Sequence, residues 1–121
     1  MGKTVIIGSV PKPHRYAYQA ATMLSDNDFE FVPMGIQEGQ VLGHEILNVN
    51  DKPNITDVDT ITLYINPIRQ KMWYDYMISL KPKRIIFNPG TENQEFKSMA
   101  KKSGIECLEA CTLVMLSTGV Y

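Results

Sequence analysis

Residues with chemical capacity fall in two places in this sequence. The first is Gly8-Ser9-Val10-Pro11-Lys12-Pro13-His14-Arg15, which sets a glycine, a hydroxyl and two permanent cations ahead of a helical stretch. Glycine lets backbone approach a ligand closely, a serine hydroxyl donates a hydrogen bond, and the opening amides of a helix attract phosphate. Lys12 and Arg15 are therefore read as partners for an anion, against the plainer reading of solvated surface charge. His14 and His44 are read as surface and loop histidines. The second place is Cys107 and Cys111, with neither a second cysteine pair nor a nearby histidine, which excludes a zinc site and leaves reduced thiols. Cys107 reads as a small buried hydrophobe within a strand. For Cys111, just past that strand, the same reading competes with a thiol near a ligand.

Several familiar chemistries are missing. Of the G-x-G-x-x-G triplet that cradles a dinucleotide only Gly8 is present, and the second strand ends in Val32-Pro33-Met34-Gly35 without an acid for ribose hydroxyls. NAD is disfavoured accordingly. No Gly-x-x-x-x-Gly-Lys-Ser/Thr occurs, so a P-loop is excluded, and Gly8-Ser9 and Tyr64-Ile65-Asn66 stand where a receiver domain needs acids. No acid-base dyad, triad or metal cluster accompanies the basic loop.

The elements that must position these residues follow from the pattern. Thr4 to Ile7 is an apolar, β-branched run ended by Gly8, as in a strand buried on both faces. Ala17, Ala20, Ala21 and Leu24 recur at helical spacing. Phe29 to Val32 makes a second strand stopped by Pro33 and Gly35. Between Gln37 and Asp59 the signal is weak, with a short strand around Glu45 to Leu47. Thr60 to Ile65 is a strand, and Asn66-Pro67 opens a helix whose apolar face is Ile68, Met72, Trp73, Tyr76, Met77 and Leu80. Arg84 to Phe87 is a strand, Asn93 caps a helix with Phe96, Met99 and Ala100 inward, and Gly104 suits its end. Ile105 to Leu108 is the last strand, and Thr112 to Tyr121 adds a helical turn or two. The tyrosines and Trp73 are read as packing, except Tyr64, which walls a pocket.

Strands alternating with helices predict an α/β fold: a three-layer, Rossmann-like sandwich around a mainly parallel, doubly wound sheet. Ligands of such sheets bind beyond the carboxyl ends of the strands. The loops there are Gly8 to Arg15, Pro33-Met34-Gly35, Tyr64-Ile65-Asn66-Pro67 and Asn88-Pro89-Gly90.

The 121 residues are 44% hydrophobic, enough for one domain over 1–121. Twelve Lys plus Arg against thirteen Asp plus Glu leave a net charge of −1, without the broad positive field of a nucleic-acid binder. No apolar run approaches the roughly 20 residues that span a bilayer, and the opening residues are too short a run for a signal peptide. A soluble, cytoplasmic protein is expected.

Taken in order, Val5-Ile6-Ile7-Gly8-Ser9 with Arg15, Phe31-Val32-Pro33, Leu42-Gly43-His44-Glu45, Asn66-Pro67, Gly90 with Asn93, and Cys111 resemble the small stand-alone CoA-binding domain family. Its Rossmann-like fold is similar to the CoA-binding domain of the succinyl-CoA synthetase alpha subunit. The resemblance implies that Gly8 and Ser9 line the diphosphate and that Lys12 and Arg15 are candidates for phosphate pairing. It further implies that Pro33, Met34 and Gly35 border the adenine, and that Asn66, Pro67 and Gly90 border the pantetheine. With Tyr64, Asn88 and Cys111 these make up the expected site. The expected function is binding of coenzyme A or an acyl-CoA without catalysis, alone, as a homo-oligomer or with a protein partner. The rivals are an enzyme using a nucleotide cofactor, such as an NAD-linked reductase or an acyl-CoA transferase or ligase component, and a regulatory interaction domain with a vestigial pocket.

Overall fold

The computed structural model describes residues 2–121. Strand β1 (Lys3–Ile7) leads through the basic loop into helix α1 (Tyr16–Asp26), and strand β2 (Phe31–Gly35) follows. Two short strands, β3 (Gln40–Val41) and β4 (His44–Glu45), form an antiparallel hairpin; β5 (Leu47–Asn48) and a 3-10 turn over Val49–Asp51 come next. Then come β6 (Val58–Leu63), α2 (Pro67–Gln70), a 3-10 turn over Lys71–Trp73, α3 (Tyr74–Ser79), β7 (Arg84–Phe87), α4 (Gln94–Lys102), β8 (Glu106–Glu109) and α5 (Thr112–Ser117). The six-stranded sheet has the order β5-β2-β1-β6-β7-β8 with every pairing parallel. Strand order reverses at β1, which has β2 on one side and β6 on the other. This is the expected α/β, Rossmann-like fold.

Alternation along the central strands sorts the core. Val5 and Ile7 of β1, Ile61 and Leu63 of β6, and Ile85 and Phe87 of β7 join Trp73, Tyr76, Met77, Phe96 and Ala100 on one face. Ile6 points to the other, where Ala17, Ala21 and Leu24 of α1 meet Leu116 of α5. On that second face β6 carries Thr60 and Thr62, both fully buried, and Thr62 shares a 2.7 Å hydrogen bond with Thr112 at the start of α5. Asn66 accepts from the Arg69 N–H and Asn93 from the Phe96 N–H, so both expected helix caps are present.

Three expectations need correction. The second strand ends at Gly35, running through Pro33 and past Val32. Proline survives there because its outer neighbour, β5, pairs only with Met34 and Gly35. The weak region holds three two-residue strands in place of one. The helix after Asn66 is broken by a 3-10 turn, and its face changes there: Ile68 and Met72 are 87% and 66% exposed, while Gln70, Trp73, Tyr76 and Met77 are buried. A 3-10 turn has 3.0 residues against 3.6, so it rotates the inward stripe away from the α-helical projection. No helix among the described residues is long and apolar enough to cross a membrane.

Candidate functional site

Where β1 ends, the chain is forced close to its neighbours. Gly8 has φ +103, and a Cβ there would lie 2.7 Å from the Tyr64 carbonyl oxygen; one on Gly35 would lie 2.5 Å from that of Ser9. Only glycine permits both approaches. The Gly8 and Ser9 amides both donate to the Met34 carbonyl, at 2.9 and 3.0 Å, and the Ser9 hydroxyl donates to Ile6 at 2.9 Å. Ser9 is thus buried with its donors engaged, and it shapes the loop.

Above this turn lies a cleft of about 190 Å³, with Gly8, Ser9, Val10 and Arg15 on one wall, Gly35, Ile36 and Gln37 on a second, and Tyr64, Ile65, Asn66 and Arg69 on a third. Ile7, Val49 and Trp73 supply apolar surface. Arg15 is the N-cap residue of α1, a position where Ser, Thr, Asp or Asn usually closes the helix; no side chain caps α1 and its first turn carries no acid. Arg69 sits in the first turn of α2. Among the described residues the ion pairs are Lys83 with Asp59 and Lys97 with Glu109, so neither cleft arginine is neutralised by a carboxylate. Two guanidiniums and an uncapped helix start at a strand-order reversal suit an anion.

The cleft extends along the carboxyl edge. Gly8, Val10, Arg15 and Tyr64 also line a second lobe with Tyr16, Asn66, Pro89, Gly90 and Thr91. Beyond it, Tyr16, Tyr64 and Pro89 continue into a groove with Asn88, Cys111, Leu113 and Val114. A hydrogen-bonded frame holds these walls. Gln70 donates to the Ile65 and Thr91 carbonyls at 2.9 and 2.8 Å and accepts from Asn93, tying the loop after β6 to the loop after β7. Asn88 donates to Thr62 Oγ1 at 2.7 Å and to the Leu63 carbonyl at 2.9 Å, and accepts from the Thr112 N–H at 2.8 Å. Its carboxamide is fully engaged, so Asn88 holds the edge together.

Of the expected residues, Gly8, Ser9, Arg15, Gly35, Tyr64, Asn66, Asn88, Gly90 and Cys111 line this continuous edge. Lys12 is exposed and outside the lining, Pro67 lies behind Asn66 as the first residue of α2, and His14 and His44 are exposed. Pro33 and Met34 are buried inside β2, with Met34 in the core. The wall they were expected to form is made by Gly35, Ile36 and Gln37, two to three residues further on. Arg69, Gln37 and Trp73 escape the sequence reading. A signal for Arg69 exists: Asn66-Pro67 sets the helix start, which puts Arg69 in the first turn at the carboxyl edge.

Tyr64 is half-buried between the lobes. Its hydroxyl is shut off from solvent near Thr62 and Thr112 without a well-formed hydrogen bond to either, and burial, outweighing those two hydroxyls, pushes the phenol up to about 12. Burial also raises the Cys107 thiol above its usual range, as suits a residue packed within β8. Among the described residues no group of three or more His, Cys, Asp or Glu could hold a metal ion.

A family model described as a CoA binding domain matches residues 2–117. The crystal structure of an uncharacterized protein superposes with a TM-score of 0.96 at 52% identity, covering 100% of this chain and 98% of that one. A hypothetical protein from Pyrococcus horikoshii OT3 superposes with a TM-score of 0.81 at 20% identity, covering 95% of this chain and 81% of that one. A protein from Thermus thermophilus does so with 0.82 at 18%, covering 99% and 90%. These two low identities show a common fold. No curated protein matches the chain. The family match runs across every strand of the parallel sheet and every loop of its carboxyl edge, and on it this protein belongs to the CoA-binding domain family.

Proposed function

We propose that residues 1–121 act as one unit that binds coenzyme A across the carboxyl edge of the sheet and performs no reaction on it. The observation that carries this reading is the convergence of Arg15 and Arg69, from two helix starts, on one cleft at the strand-order reversal. Phosphates of the nucleotide fit between those guanidiniums and the start of α1, with Gly8 and Ser9 shaping the turn beneath them. Gly35, Ile36 and Gln37 border the adenine side. Asn66, Tyr64 and Gly90 lead away from it, along the second lobe, as a path for the pantetheine arm. From β2 to β8 the edge crosses four strand spacings, about 19 Å, which favours a ligand longer than a mononucleotide. Lys12 stands outside the cleft as an outer cation.

No Asp, Glu or His lines the cleft or its second lobe. That favours holding a ligand over acid-base turnover, and the cleft wall after β2, Gly35-Ile36-Gln37 without a carboxylate, favours coenzyme A over NAD. Calorimetric titration of the protein with CoA, 3′-dephospho-CoA and NAD tests the proposal. Binding of CoA in preference to NAD is expected; binding of NAD with none of CoA overturns it.

A further inference from the structure

The groove at the far end of the edge has a different character from the cleft. Tyr16, Tyr64, Pro89, Cys111, Leu113 and Val114 enclose about 370 Å³ between the start of α1, the loop after β7 and the first turn of α5. Its walls offer almost nothing to a polar ligand. Asn88, the carboxamide at this site, spends both its atoms on Thr62, Leu63 and Thr112, and the Tyr64 hydroxyl is buried out of reach of solvent. No charged side chain lines it. Tyr16 and Val114 nevertheless stand 69% and 56% exposed, leaving apolar surface uncovered beside polar groups that are already engaged. The groove is also continuous with the cleft, because Tyr64 lines both and Tyr16 and Pro89 line the lobe between them.

We propose that this groove takes the hydrocarbon chain of an acyl-CoA, so that the preferred ligand is an apolar acyl thioester over free coenzyme. The inference rests on the coenzyme reading above. With phosphates held at the β1 end, the linear arm of the coenzyme runs toward β7 and β8, and whatever its sulfur carries arrives between Tyr16 and Val114. An uncharged chain gains there by leaving water, whereas an acyl group ending in a carboxylate finds no cation and loses its hydration.

The test is calorimetry on the full chain with CoA, butyryl-CoA, hexanoyl-CoA, octanoyl-CoA and succinyl-CoA. Affinity is expected to rise roughly two- to fourfold per methylene until the groove is filled, with succinyl-CoA weaker than butyryl-CoA. Val114→Asp, a change at an exposed position, is expected to abolish the gain with chain length while leaving the affinity for free CoA within about twofold. A series that is flat with chain length while CoA binds overturns the inference and leaves the coenzyme reading standing. So does retention of the full gain in Val114→Asp, or a dimer in sedimentation that Val114→Asp dissociates, which assigns the groove to a second copy. Failure of CoA and every acyl-CoA to bind overturns the coenzyme reading and this inference with it.

Discussion

At the β1 end of the carboxyl edge the walls are main chain and guanidinium, while at the β8 end they are hydrocarbon from α5 and the loop after β7. The same parallel sheet supports both, and the contrast comes from what each loop leaves unspent. Around Gly8 the backbone is pressed against Tyr64 and Met34 so tightly that side chains are excluded, and the helix that follows begins without a cap. Polar capacity stays open to a ligand there. Around Asn88 the opposite holds: one carboxamide satisfies Thr62, Leu63 and the first amide of α5, which leaves the rim to Tyr16, Leu113 and Val114. Charged surface and apolar surface are thus separated along one edge by the distribution of satisfied hydrogen bonds.

The contrast can be broken most severely at its two anchors. Gly8→Val puts a Cβ 2.7 Å from a carbonyl oxygen at φ +103, and a loss of about 3 kcal/mol is expected, read as a fall in the urea midpoint. Wild-type stability in that variant would mean that the close approach at the β1 end is dispensable. Asn88→Ala strands the Thr112 N–H and the Leu63 carbonyl in a buried setting; about 2 kcal/mol of destabilisation is expected. Hydrogen exchange in this variant should rise first in α5, and uniform exchange would show that Asn88 does not organise the apolar end.

Smaller changes sharpen the contrast without threatening the fold. Arg15→Glu and Arg69→Glu are each expected to weaken CoA binding about tenfold, close to 1.4 kcal/mol, with the thermal midpoint little changed. If neither alters affinity in a titration, the charged end is not where the phosphates sit. Tyr64 stands between the two ends, and Tyr64→Phe removes its unpartnered hydroxyl; a gain of about 1 kcal/mol in denaturant unfolding is expected. The same residue sets an alkaline dependence. Its folded phenol is pushed up to about 12, by burial first, and that of Tyr76 likewise, whereas an unfolded tyrosine titrates near 10. Between those values the unfolded chain releases protons that the folded chain keeps, so the contribution is whole below about pH 10 and is lost as pH rises toward 12. Urea midpoints at pH 9 and pH 11 should differ less in Tyr64→Phe than in the wild type.

Local chemistry made much of this molecule readable in advance. The run Val5-Ile6-Ile7-Gly8, the Asn66 and Asn93 caps and the cationic Arg15 each depend on neighbours within a few residues, and each stands where its pattern puts it. Pro33 and Met34 misled because a proline ends a strand unless its neighbour leaves the position unpaired, and pairing with β5 is a distant event. Ile68 and Met72 misled because an α-helical projection cannot anticipate the turn over Lys71–Trp73, whose packing is set by Gln70 bonding across to Thr91 and Trp73 bonding to Asn50.

From composition and order alone came the α/β class, the basic loop after the first strand and the exclusion of P-loop and glycine-triplet chemistry, all of which rest on short-range sterics and charge. Only the folded chain could bring Arg69 into one cleft with Arg15, since they are 54 positions apart and reach it from opposite sides of the strand reversal at β1. Only it could show Asn88 spent and the groove beside it apolar, because whether a polar side chain is available to a ligand depends on partners that the chain delivers from β6 and α5.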